Sequence, residues 1–351
     1  MLVRPHKITN SISFTKNNTW QTVDLTDYLI NASQAKAVTM GMSVGLIDST
    51  AVGVLNTATT NNAVVLAPKG FTFNSAVIKL DGDNKILCFA GNSVATFFIL
   101  AEWYGEDDGV VLFNPTTLAN YSASAWRTNT VSAGADAGNV EAVILNVGYK
   151  TLTDFPAGSY GLRIGGGTKG TRSHQDTSIH TRIIKVDSSD QWQVYNGVVS
   201  AGVYMFTPRD FGNIKGVEVV GYIKKGYGYN AYGPDTEITG LTTDPYVQAA
   251  DLTAFTDRRA SVAMIRHYRD YNAPGGLKVD GFLSFDSPLF GQHFSLHRKS
   301  HFYTIEMNLA QECWYYKPDT DVHYYVEGYY THQGGKPKLR DFTNFNQWRF
   351  T

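Results

Sequence analysis

Charge is scarce in this chain, and cysteine scarcer. Of its 351 residues only 17 % are Asp, Glu, Lys or Arg, against the roughly 25 % of an ordinary soluble domain, and the formal net charge is −1. No Lys/Arg cluster outgrows fragments such as Arg258-Arg259. The basic footprint of a phosphate-backbone binder is therefore missing, and nucleic acid is not an expected partner. Cys88 and Cys313 are the two cysteines, too few for a disulfide framework. Each sits in an apolar strand-like run, which predicts buried free thiols. No run approaches the ~20 apolar residues of a membrane helix, and Met1-Leu2-Val3-Arg4-Pro5-His6-Lys7 lacks the apolar segment of a secretory signal. The expectation is a soluble chain made in the cytoplasm, with no membrane partner.

Aromatic residues and glycine are plentiful: 21 Tyr, 19 Phe and 33 Gly. Aromatic and β-branched side chains cover pleated surfaces, and glycine serves the turns between strands. The main signal is an internal repeat. The segment Ala76 to Phe89 lines up without a gap on Arg182 to Tyr195, an offset of 106 that carries Val77 onto Ile183. The same register lays Phe97-Phe98-Ile99-Leu100 on Val203-Tyr204-Met205-Phe206 and Trp20 on Trp126. A second offset, 227, carries Asp24-Leu25-Thr26-Asp27-Tyr28 onto Asp251-Leu252-Thr253-Ala254-Phe255 and Ile78–Phe89 onto Ile305–Tyr316. It also sets Trp103 on Tyr330.

Within each copy apolar residues recur at two-residue spacing, as in Val94, Thr96, Phe98 and Leu100, the period of a half-buried strand. Turn signals separate the runs: Asp81-Gly82-Asp83-Asn84, Asp187-Ser188-Ser189-Asp190, Ala157-Gly158-Ser159 and Pro274-Gly275-Gly276. Short strands at this spacing, in units of about 90 residues, predict an all-β chain of three tandem antiparallel β-sandwich modules, jelly-roll or immunoglobulin-like. The predicted boundaries are an N-terminal arm 1–18, module one 19–106, a connector 107–124, module two 125–212, a Gly/Tyr-rich connector 213–246, module three 247–333 and an aromatic tail 334–351. Each connector is expected to add an edge strand or covering loop, the first through Val110-Val111-Leu112-Phe113.

Catalytic and metal signatures are poor. Gly165-Gly166-Gly167-Thr168-Lys169-Gly170-Thr171 has the wrong order for a phosphate loop, and no helix pattern follows it. His293, His297 and His301 stand four apart, but along a strand they would spread over about 26 Å, too far for one ion. The turns at Asp81 and Asp187 offer two carboxylates each, short of the six or more oxygens that Ca²⁺ takes. Glu102 and Glu327 lie in strand-like runs without corresponding to each other, so no glycosidase pair is legible. No metal, cofactor or catalytic residue is expected, and the chain reads as a non-enzyme. The binding candidates are aromatic: Tyr227, Tyr229 and Tyr232 in the Gly-Tyr alternation of 226–233, and Trp348 in the tail, because tyrosine and tryptophan supply rigid amphipathic contact area.

The recurring block of Trp20, Val23-Asp24-Leu25-Thr26, Ala35-Lys36-Ala37-Val38, the hairpin Ile78 to Phe89 and the closing Phe97 to Tyr104 resembles β-sandwich modules of tailed-bacteriophage virion proteins of the fibre, spike and head-decoration kind. The resemblance covers about three quarters of the chain. It implies a virion structural subunit, homo-oligomeric, with a trimer as the form to expect, working by self-assembly and attachment to other virion proteins, sometimes with a glycan-binding tip. It carries over no catalytic residue. The rival reading is a carbohydrate-binding array acting as a host-receptor adhesin; a double jelly-roll capsid protein would need two larger copies.

Overall fold

The computed structural model describes residues 3–5, 11–44, 50–58, 65–67, 72–91, 95–105, 109–117, 125–149, 159–164, 171–174, 178–197, 216–232, 236–243, 248–269, 282–284, 300–307 and 310–331. Among them every regular element is a β-strand apart from single 3₁₀ turns at Thr26–Tyr28 and Gly134–Asp136, and all strand pairs are antiparallel. No described helix is long and apolar enough to cross a membrane.

The first strand set is β1 (Val3–Pro5), β2 (Trp20–Asp24), β3 (Ala35–Val44), β4 (Thr50–Asn56), β5 (Val65–Ala67), β6 (Thr72–Lys79), β7 (Lys85–Ala90) and β8 (Thr96–Tyr104). It forms two sheets, ordered β1-β8-β3-β6 and β2-β7-β4-β5. Next come β9 (Val110–Thr117), β10 (Ala125–Thr130), β11 (Val140–Tyr149), β12 (Ser159–Ile164), β13 (Thr171–His174), β14 (Ser178–Lys185), β15 (Gln191–Gly197) and β16 (Gly216–Lys224). Their sheets run β9-β16-β11-β14 and β10-β15-β12-β13, the same order with each strand moved on by eight. The last set is β17 (Tyr229–Ala231), β18 (Gln248–Asp251), β19 (Ala260–Arg269), β20 (Phe282–Ser284), β21 (Ser300–Glu306), β22 (Glu312–Tyr316) and β23 (Val322–Thr331), in sheets β17-β23-β19-β21 and β18-β22-β20.

Alternation decides which residues fill which core, because successive side chains on a strand face opposite ways. In β3, Val38, Met40 and Met42 meet Val23, Ile86, Cys88 and Val52 of the facing sheet, while Ala37 points the other way. Comparable clusters lie between the two sheets of the second set, around Trp192 and Tyr222, and of the third, around Cys313 and Tyr324. Cys88 and Cys313 are free and buried, as their apolar flanks predict. A fourth cluster joins Ala37, Val77 and Trp103 of the first set to Ile144, Ile183 and Val220 of the second and Val262, Met264 and Tyr330 of the third.

That shared core is built by a cyclic arrangement. Strand β6 lies against β9, β11, β14 and β16; β14 lies against β17, β21 and β23; and β21 lies against β1, β6 and β8. The strands β6, β14 and β21 are thus presented by their sets to the first and last strands of the next, and the third set closes back on the first.

The arm 1–18 and the joining segments supply strands: β1 pairs with β8, β9 pairs with β16 as the edge strand expected through Val110-Val111-Leu112-Phe113, and β16 and β17 of 213–246 enter two different sheets. The offset of 106 fails beyond the hairpin. Ile99 faces Met40 across the ladder, and the residue facing Leu145, which corresponds to Met40, is Val219, whereas the offset points to Met205. A longer stretch between β15 and β16 shifts the last strand of the second set along the chain. Residues 203–206 themselves lie outside the described residues.

Candidate functional site

The strongest concentration of buried polar chemistry lies where the three sets meet. Strands β6 and β14 are sheet edges, so every second backbone N–H and C=O faces away from the sheet and needs a partner. In β6 that residue is Val77. Asn146 of β11 serves it with a side-chain amide used at both ends: Val77 N–H donates to Asn146 Oδ1 at 2.9 Å, and Asn146 Nδ2 donates to Val77 C=O at 2.9 Å. Thr181 Oγ1 also reaches Asn146 Oδ1, at 3.3 Å. One asparagine acts as a single rung of β-ladder between two strand sets.

The corresponding residue of β14 is Ile183, by its place opposite Ile144 as Val77 is opposite Thr39. Its N–H donates to Glu327 Oε2 at 3.1 Å, and Arg182 Nε donates to Glu327 Oε1 at 2.5 Å. Arg266 Nε stands 3.5 Å from the same carboxylate, and its guanidinium lies 4.0 Å from the Tyr325 ring centroid. Glu327, Arg182 and Arg266 are all at most 1 % exposed. Buried charges persist only when paired and hydrogen-bonded, and this carboxylate meets two guanidiniums and a backbone amide.

A second fastening repeats beside the first. Lys79 Nζ donates to Leu112 C=O at 3.4 Å, and Lys185 Nζ donates to Ala231 C=O at 3.3 Å. Leu112 and Ala231 hold the same ladder position, opposite Gly221 and Gly328. At Ala231 the clamp is double, because its N–H donates to Glu141 Oε1 at 3.2 Å.

The aromatic candidates fall into this region as packing. Tyr229 is buried in the shared core and lies over Gly328, where an added methyl would run into Tyr229 Oη. Burial, with the Glu327 and Glu141 carboxylates nearby, pushes its phenol well above the usual range. Tyr227 is half-buried with its ring over Gly109, and Tyr232 is half-buried against the third set's core, 5.9 Å from the Tyr329 ring. Strand formation at Tyr229–Ala231 turns alternate side chains inward, and Tyr229, buried there, has no free face on which a ligand could stack. Trp348 lies outside the described residues.

The carboxylates are accounted for likewise. Glu102, fully buried, accepts from Ile30 N–H, from Asn31 N–H at 3.1 Å and from Tyr104 Oη at 3.1 Å. It pins the loop before β3, as Tyr222 Oη pins the loop before β11 by donating to Asp136 Oδ2 at 2.7 Å. Asp81 Oδ1 accepts from Asp83 N–H and Lys85 N–H, and Asp187 Oδ1 accepts from Ser189 N–H and Gln191 N–H; these are Asx turns. Among the described residues no group of three or more His, Cys, Asp or Glu could hold a metal ion. His293, His297 and residues 165–170 lie outside the described residues, and His301 pairs with His267 in the ladder. Burial pushes the Cys313 thiol up to about 12 and Cys88 higher still, so neither is a ready nucleophile.

Sequence reasoning missed Asn146, Arg182, Arg266 and Lys185. The available signal was a polar residue interrupting an apolar strand, as in Thr181-Arg182-Ile183-Ile184 and Ala263-Met264-Ile265-Arg266; a long polar side chain there needs a buried partner. In comparisons with known proteins the chain matches no family model and no curated protein sequence.

Proposed function

We propose that this chain is a non-enzymatic structural subunit of a bacteriophage virion, built from three jelly-roll modules related by an internal repeat and working by attachment to other virion proteins and its own copies. The observation that carries the reading is the cyclic seating. Buried polar groups of one strand set are spent on fastening the next, and the conspicuous buried carboxylates, Glu102 and Glu327, hold backbone in place.

The strand orders support the module reading. In the first set β1 lies beside β8, β2 beside β7, β3 beside β6 and β4 beside β5, the pattern of an eight-stranded ribbon doubled on itself and rolled, which is a jelly roll. In this proposal the chain folds as its own threefold: faces that three separate chains would have to cover for one another are covered within one, and attachment uses the outward sheets and loop ends. Tyr229, at the centre of the Gly-Tyr segment that favoured a glycan platform, serves packing, which makes the adhesin the weaker reading.

The test is the mass in solution by light scattering, with negative-stain images of the same fractions and a thermal-shift panel of bacterial surface glycans. Closed multimers of the 38.8 kDa chain, with no response to glycans, are expected. A chain that stays monomeric and gains several degrees in melting temperature with one glycan would overturn the reading in favour of the adhesin.

A further inference from the structure

We propose that the three seams of the ring are unequal, and that the ring opens at the seam between the third module and the first. The inference rests on the reading of the chain as three equivalent modules and is independent of any role on a virion.

The ladders fix which residues correspond. Opposite Thr39, Ile144 and Met264 stand Val77, Ile183 and Thr304; opposite Ala37, Ala142 and Val262 stand Lys79, Lys185 and Glu306. On the receiving side, Pro5 faces Ala101 as Leu112 faces Gly221 and Ala231 faces Gly328. Gly41, opposite Ser75, corresponds to Asn146, opposite Thr181. Each of the three last strands carries one extra residue at the same irregularity: Leu100, Val220 and Glu327.

With these equivalences the third seam is deprived by residue type. The lysine that donates to a backbone carbonyl in the first two seams is replaced by Glu306, and a carboxylate has no N–H to give. The backbone amide that Ala231 donates to Glu141 is absent at Pro5, which has none. The side chains that serve the outward N–H of Val77 and Ile183, those of Asn146 and Glu327, have as counterparts Gly41 and Leu100, which offer no polar side-chain atom. Residue Thr304 therefore meets neither of the two devices its counterparts meet. Opening this seam would uncover the outer edge of β21, and an uncovered edge is the kind of surface that recruits a further strand.

Hydrogen exchange of the intact chain, read by mass spectrometry on peptides covering 72–79, 178–185 and 300–306, tests this directly. The expected result is strong and similar protection in the first two and exchange about tenfold faster or more in the third, as local openings below global unfolding produce. Glu306→Lys, which restores the donor, is expected to slow exchange in 300–306 severalfold, and Lys185→Glu to speed it in 178–185. Equal protection of all three strands in the unaltered protein, or the greatest protection in 300–306, would overturn the inference whatever the variants do. Fast exchange in 72–79 and 178–185 as well would point instead to failure of the three-module reading.

Discussion

Glu327 shows how much one position can differ between otherwise corresponding seams. In the seam between β6 and the second set, the residues in the places of Arg182 and Glu327 are Ala76 and Val220, an apolar pair, and Asn146 serves the Val77 backbone at both ends. Replacing Glu327 by valine therefore leaves Arg182 and Arg266 buried beside an apolar side chain, at an expected cost of about 3–5 kcal/mol. The double variant Arg182→Ala/Glu327→Val recreates the apolar pair, so it should be less destabilised than Glu327→Val alone, with a coupling above about 1 kcal/mol in a denaturant double-mutant cycle. Additive costs would mean that the ion pair is not the source of the penalty. Glu218 offers a pH handle at the neighbouring seam. Its half-buried carboxyl is pushed up to about 7 by burial, a hydrogen bond with Asn146 pulling the other way. The folded chain thus holds this proton to higher pH than the unfolded chain, and stability contributed by Glu218 is present below the ordinary value of 4.5 and lost as pH rises to about 7. A loss of up to about 3 kcal/mol over that window is expected from linkage, and Glu218→Gln should flatten it. An unchanged slope in the variant would assign the pH dependence elsewhere.

Among the elements, the hairpins β6–β7, β14–β15 and β21–β22 correspond most closely. Each turns through a non-glycine residue in the left-handed region, Asn84 at φ 60°, Asp190 at φ 56° and Gln311 at φ 60°, and each of these residues accepts at its backbone C=O from Leu25, Val131 or Leu252. Their side chains do different work. Asp190 accepts from Gly138 N–H at 2.5 Å and Val140 N–H at 3.4 Å, and Gln311 Nε2 donates to Asp257 C=O. Glycine relieves left-handed strain at any of the three, so Asn84→Gly should be neutral or stabilising by less than about 1 kcal/mol. Asp190→Gly should cost about 1–3 kcal/mol through the amides it leaves unserved; equal effects at the two sites, read by chemical denaturation, would deny Asp190 its bracing role. These hairpins were the part of the chain most legible in sequence, because a short tight turn tolerates no insertion and keeps one register from Ala76 to Phe89. The last strand of the second set was illegible for the opposite reason, an inserted stretch that no periodicity reveals. The outward-facing polar residues were hidden more deeply. Asn146 gains its meaning from Val77, 69 residues away, and only the cyclic packing of strand sets brings the two together. Tyr229 misled because Gly-Tyr alternation resembles an exposed loop until strand pairing with β23 turns its ring inward.

At the scale of the whole molecule, stability depends on whether three cores melt as one. Each strand set has a core between its own sheets, and a single cluster is shared by all three. Trp103 is fully buried in the shared cluster, with Nε1 donating to Thr39 Oγ1 at 2.8 Å, whereas Phe97 is fully buried in the first set's own core. Either residue replaced by alanine should cost about 3–5 kcal/mol from lost contact and cavity, so stability alone does not separate their roles. Cooperativity does. With the shared core intact, unfolding of one set exposes apolar faces on its two neighbours, and calorimetry of the unaltered chain should give one transition whose van't Hoff and calorimetric enthalpies agree. Phe97→Ala should lower that transition and leave it single. Trp103→Ala removes an indole from the surface between sets, weakening the coupling while sparing the other sets' cores, and should broaden the transition or divide it into resolved steps. Several transitions in the unaltered protein would mean that the sets are joined by chain and contact without sharing a folding unit; the polar fastenings at Val77 and Ile183 would then align the sets without binding their stabilities together.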